Sequence, residues 1–267
     1  MNELLKEIRI ASEIARGNIR AAMELRGAFA VQVFGMMLNN IAFVLIWIFF
    51  FQAFGNINGW SSTEVFAFQG VVAFAYGCSA AFFQGSHSLP TLVYNGSLDS
   101  YLLSPCSAYM RILTSGIKMS GVGDLLFGFV LIVAYIVMAH LSFLQGAMLL
   151  SLLIPASIIM TNVSLITSLS SFYINDATAF AQNLFEVFVS PSLYPSPLFP
   201  KALRFIFIFV LPSLAVGGLP IEAVKDYQWH WYAIIWALAG VWTFFAIKLL
   251  NISIRKYESG NMIGARV

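Results

Sequence analysis

Asp124 has the greatest chemical reach in this chain, because it is a carboxylate inside the apolar run 112–139. Inserting an acid at the centre of a membrane helix costs about 2.5–3.5 kcal/mol on insertion scales, so it is kept where it works or is paired. It can relay a proton or contact cargo. The alternative is structural: it sits in the small-residue stretch SGVGD between Gly116 and Gly128, with Lys118 one turn and a half away. Asn39 and Asn40 fall inside the run 31–54 and Gln69 inside 64–83, and buried amides of this kind need partners. Ser157, Thr161, Ser164, Ser168, Ser171 and Asn175 recur at steps of 4, 3, 4, 3 and 4, which places them on one helical face. Such a face either lines a polar passage or lets helices approach closely. The ridge Phe43, Trp47, Phe50 and Phe54 follows at helical spacing and suits lipid contact or the wall of a cavity for a hydrophobic substrate.

Other chemistry lacks its residues. There is no G-x-x-x-x-G-K-[ST] loop to cradle nucleotide phosphates. His87, His140 and His230 are scattered, with no HExxH, and Cys78 and Cys106 show neither metal-ligand nor disulfide spacing, so no catalytic or metal site is expected. A formal charge of +2 gives no reason to expect nucleic acid.

These candidates sit on elements set by composition. The 267 residues are 60% hydrophobic and 10% charged, against about 25% charged in soluble domains. Runs at 31–54, 64–83, 112–139, 143–172, 177–189 and 229–250 approach the ~20 residues that a ~30 Å hydrocarbon core requires, with 177–189 the shortest. The expected fold is an all-α membrane protein of one domain, 1–267, with six transmembrane helices. Leu4, Ile8, Ala11, Ala15, Ile19 and Ala22 form one face of an amphipathic interfacial helix within 1–28, opposite a basic face. With the N-terminus inside and six crossings, eleven of the fourteen Lys and Arg residues are cytoplasmic, and only Lys201, Arg204 and Lys225 are outside. Both termini are then cytoplasmic. A seventh crossing at 203–219 would move Lys248, Arg255 and Lys256 outside. The segment 191–220, rich in proline and carrying Gly217–Gly218, is therefore expected as an outer re-entrant helical hairpin before the last crossing.

The segment 96–111, GSLDSYLLSPCSAYMR, is a polar island on the cytoplasmic side. Asn95-Gly96 signals a turn, and Ser97 is placed to start a short helix that Pro105 ends. Leu98, Tyr101 and Leu102 would share one face of it, suited to a groove on a soluble partner or left as incidental apolar residues of a solvated loop.

At this point the chain resembles the type-2 ATP-binding-cassette (ABC) exporter permeases, in the branch that often pairs with a second permease and a separate ATPase. The resemblance rests on G-x-L-D-x-x-L-L-x-P ending at Pro105, on PSLYPSPLFPKALRFIFIFVLP from Pro191, and on RKYESG from Arg255, and it spans almost the whole chain. It implies a permease without enzymatic activity of its own, with no cofactor in this chain and with ATP and Mg bound by two copies of a partner ATPase. It also implies a second permease, the same or different, and a bacterial plasma (inner) membrane with its lipid around the helices. Leu98, Asp99, Tyr101, Leu102, Leu103 and Pro105 would be the coupling segment. An amphipathic or hydrophobic cargo would pass outward by alternating access, with Asn39, Asn40, Phe43, Trp47, Asp124, Thr161, Ser164 and Ser168 as path candidates. A proton-coupled secondary transporter using Asp124 as relay and a non-transporting scaffold are the competing readings.

Overall fold

The computed structural model describes residues 13, 16, 17, 20, 24, 26–56, 59–103 and 107–257. The expected N-terminal interfacial helix, Pro105 and the end of RKYESG lie largely or wholly outside them. All regular elements among the described residues are helical.

Among the described residues five helices are long and apolar enough to cross a membrane. The first is α1, Arg26–Phe54. It is apolar all round and only 11% of its most apolar window is buried, so most of its surface is left for lipid or another subunit. α2, Ser62–Phe82, begins with a capping box in which Ser61 accepts from the first turn while Glu64 reaches back to the Ser61 N–H. After it come the short helices α3, Gly85–Tyr94, α4, Leu98–Leu102, and α5, Ala108–Leu113. The second long helix of the central pair, α6, is Met119–Met138. The run 112–139 is thus not one helix, as expected, but two. Lys118 adopts an extended backbone and its N–H donates to the carbonyl of Ala80 at 3.0 Å, so the chain is pinned to the end of α2 before the helix restarts.

α2 and α6 cross at contact distance because glycines face backbone. A Cβ at Gly77 would lie 2.3 Å from the Leu125 nitrogen, and one at Gly128 would lie 2.4 Å from the Phe74 nitrogen. With little hydrophobic drive between helices in lipid, this kind of backbone approach holds them by dispersion. α7, Phe143–Ser168, is capped by Ser142 and Gln145 and continues as a 3-10 turn, Leu169–Phe172. α12, Trp229–Ile254, packs along it.

The expected crossing at 177–189 is α8, Thr178–Ser192, whose 15 residues reach about 22 Å, short of a ~30 Å core. It is not among the five helices long enough to span. Beyond it the chain breaks repeatedly: α9, Lys201–Phe205, runs into a π-helical turn, Ile206–Val210, followed by α10, Ser213–Val216, and α11, Leu219–Lys225. All of Ser213, Leu214, Ala215 and Val216 are buried, and a Cβ at Gly217 would meet the Ser192 carbonyl at 2.4 Å. The broken segment therefore fills the space above the end of α8.

Candidate substrate path and coupling face

Asp124 faces α1 and is 2% exposed. The Asn40 side-chain N–H donates to its Oδ1 at 2.6 Å, while Oδ2 is buried without a partner. The two residues belong to different helices brought together where Gly123 lets α6 approach α1, its would-be Cβ only 2.5 Å from the Val33 carbonyl. They line a cavity of 170 Å³ together with Asn39, Phe43, Gln69 and Tyr76. Five polar or aromatic candidates from three separate runs thus meet at one place. Gln69 also donates to the Leu193 carbonyl at 3.4 Å, closing the cavity against the end of α8. Trp47 does not line it. Its ring packs edge-on against Phe68 and Tyr194, with centroids 6.0 and 5.6 Å away, and serves as a wedge.

A second cavity of 340 Å³ shares Tyr76 and Val189 with the first and is far more polar. Gln84, His87, Lys118, Ser164, Ser168, Gln182 and Glu186 line it. The Oε1 of Gln84 is buried without a partner. His87 is held by Ser79 Oγ, 3.0 Å from Nε2, and by the Phe185 ring at 5.0 Å. Burial, with the positive charge of Lys118 adding to it, pushes His87 down to about 4, so the imidazole is neutral at pH 7. Nothing in its spacing marked this histidine beforehand.

The hydroxyl ladder on α7 does not act as one lining. Ser157 donates to the Leu153 carbonyl at 2.7 Å and Thr161 to the Ser157 carbonyl at 2.8 Å, the back-bonding that satisfies a hydroxyl within its own helix. Ser168 bonds across to the Ser86 carbonyl at 2.7 Å. Thr161 lies instead in a third, apolar groove of 480 Å³ with Tyr109, Asn162 and Cys78, and Asn175 is exposed beyond the helix. Only Ser164 and Ser168 reach the polar cavity.

The segment expected to couple follows α3 in the chain. Leu98 is fully buried in a cluster with Leu89, Ile112, Leu165 and Leu250. This departs from the expectation that it faces outward with Tyr101 and Leu102. The apolar side of α4 is spent on the chain's own core, and Leu103, 87% exposed, is the apolar residue left pointing away. Asp99, Tyr101 and Leu102 are half-buried, with the Arg111 guanidinium 5.0 Å from the Tyr101 ring centre. Behind them Tyr109 O–H donates to Asn162 Oδ1 at 2.6 Å, and Asn162 Nδ2 to Thr243 Oγ1 at 2.9 Å, linking α5, α7 and α12. Burial pushes the Tyr109 hydroxyl up to about 12, so it stays a donor. Asn162 lies beside the ladder rather than on it, and so escaped a search by period.

At the opposite end Glu222 accepts from Ser196 and Arg204, and Lys225 Nζ is 2.7 Å from both Glu64 Oε1 and the Gly59 carbonyl. Among the described residues no group of three or more His, Cys, Asp or Glu side chains is placed to hold a metal ion.

No curated protein and no solved structure matches the chain. A family model described as ABC-2 family transporter protein matches residues 37–260. That span takes in both cavities, the segment 96–111 and the broken helices, in helices apolar enough to make a multi-pass membrane protein. The chain belongs to the ABC-2 family of transporter proteins.

Proposed function

We propose that the chain is the permease subunit of an ATP-driven exporter that moves an amphipathic or hydrophobic substrate out across the plasma membrane of a bacterium by alternating access. The observation that carries this reading is the pair of adjoining cavities, one polar and one mostly apolar, that meet at Tyr76 and Val189 inside a bundle of membrane-length helices. An amphipathic molecule needs polar and apolar surface within reach of one another, which this bundle provides. On this reading the chain is one membrane domain, and α8 is a sixth crossing completed by the broken helices above it, which form an outer re-entrant hairpin. The termini and α3–α5 are then cytoplasmic, in agreement with the distribution of Lys and Arg. Two ATPase copies, holding ATP and Mg, dock at the α4 end against Leu103 and the half-buried Asp99, Tyr101 and Leu102, and a second permease completes the path. Nucleotide-driven closure of the ATPases biases the pair between inward and outward states.

The test is to purify the tagged chain from its own cells, identify what accompanies it, and reconstitute the assembly in proteoliposomes. An ATP-binding-cassette subunit in the eluate, with substrate movement that requires ATP, is the expected result. Transport by the chain alone under a proton gradient would overturn the reading in favour of a secondary transporter.

A further inference from the structure

We propose that the Asp124 cavity binds an organic cation, the ammonium end of an amphipathic substrate. The inference rests on the permease reading above and adds the substrate's charge. One oxygen of Asp124 is occupied by Asn40 and the other has no partner, although the residue is almost completely buried. A buried carboxylate that is half satisfied is costly, and a cation supplies what is missing. No Lys, Arg or His lines this cavity among the described residues. Lys118, the cation of the neighbouring cavity, lies with its Nζ 5.9 Å from the Tyr76 ring centre and makes no ion pair with Asp124.

The rest of the lining suits the same ligand. Phe43 and Tyr76 line the same cavity as the carboxylate, and aromatic rings with one acid are how quaternary ammonium groups are held. Asn39 and Gln69 add polar atoms without charge. At 170 Å³ the cavity is smaller than the ~300 Å³ lower bound of drug-sized pockets, so it takes a head group and leaves the apolar remainder to the exposed face of α1.

The experiment measures binding of phenyltrimethylammonium and of its neutral carbon isostere, tert-butylbenzene, to the full chain in lipid nanodiscs. The wild-type chain should prefer the cation at least tenfold. Asp124→Asn keeps an oxygen for Asn40 and removes the charge, so it should abolish that preference while leaving the isostere unchanged. Equal affinity of the wild-type chain for both probes, or a cation preference untouched by Asp124→Asn, overturns the proposal and points to an acid kept neutral for packing. Should that variant fail to fold, Phe43→Leu serves instead: the exposed position tolerates it, and cation affinity should fall several-fold while the isostere holds. No change for either probe would count against the site. The permease reading fails separately, through loss of ATP-dependent transport, since probe binding needs no ATPase.

Discussion

A methyl group added at Gly128 tests whether the α2–α6 seam is the packing joint that sets the cavities. The added Cβ would start 2.4 Å from the Phe74 nitrogen and 2.6 Å from the Gly70 carbonyl oxygen, and ordinary contact begins near 3.4 Å. The helices must then part by 3.4 − 2.4, or 1.0 Å, because both obstacles are backbone and neither can rotate away. A radial gap of that size forfeits a quarter to a half of each facing dispersion contact. Overpacking costs of about 1–3 kcal/mol are usual, and the rigidity of the obstacle puts this one at the upper end. Helix propensity works the other way by up to about 1 kcal/mol. The net expectation is a loss of about 2 kcal/mol, read as a lower midpoint in thermal unfolding of the purified protein in detergent. Gly240→Ala is the control, because nothing lies within 4 Å of its would-be Cβ, and it should hold or raise the midpoint. A Gly128→Ala midpoint at or above wild type would refute the seam, and with it the alignment of Asn40, Gln69 and Asp124 around one cavity.

Further outcomes follow from single residues. Leu98→Ala should destabilise the protein by about 2–5 kcal/mol as a core truncation, whereas Leu103→Ser should leave stability unchanged and reduce recovery of the ATPase in pull-downs. Because the folded-state pKa of His87 lies below its ordinary 6.5, the unfolded chain binds the extra proton; the His87 contribution to stability should decline as pH falls from 6.5 to about 4, by roughly 3 kcal/mol, read as the difference between wild-type and His87→Gln curves. No difference in slope between wild type and His87→Gln in pH-dependent melting curves would refute the buried neutral imidazole. Asn162→Leu removes the middle of the Tyr109–Thr243 chain and strands a buried hydroxyl; a loss of about 1–3 kcal/mol in the same assay is expected, and Asn162→Leu combined with Tyr109→Phe should recover part of it.

What could be read from sequence divides along physical lines. Long apolar runs announce α1, α2, α7 and α12 because lipid leaves no other option for twenty apolar residues. The break at Lys118 goes with a hydrogen bond to Ala80 on another helix, a partner that no local pattern reveals. Asp124 and Asn40 each stood out as costly polar groups in apolar runs. That they answer each other, 84 residues apart, depends on a tertiary crossing that no local pattern encodes. The α7 ladder left two readings open, a lining or a packing face. Its hydroxyls repeat with the period of a lining, yet several turn back onto their own helix, a choice made by rotamers and not by spacing. Leu98 shows the same limit on a smaller scale. A five-residue amphipathic helix has an apolar side, and whether that side meets its own core or a stranger depends on Leu165 and Leu250 arriving from elsewhere.

The Glu64–Lys225 contact has a further consequence. Glu64 is committed twice, to the start of α2 through Ser61 and to Lys225 on the broken helices. If α11 swings away, Oε2 keeps the Ser61 N–H and hydroxyl while Oε1 loses its cation, so the carboxylate stays anchored but half satisfied. The lysine is released toward water, where an ammonium is at ease. The contact is therefore a latch biased to stay shut: its catch keeps its place on the start of α2, and the oxygen left bare calls the tongue back.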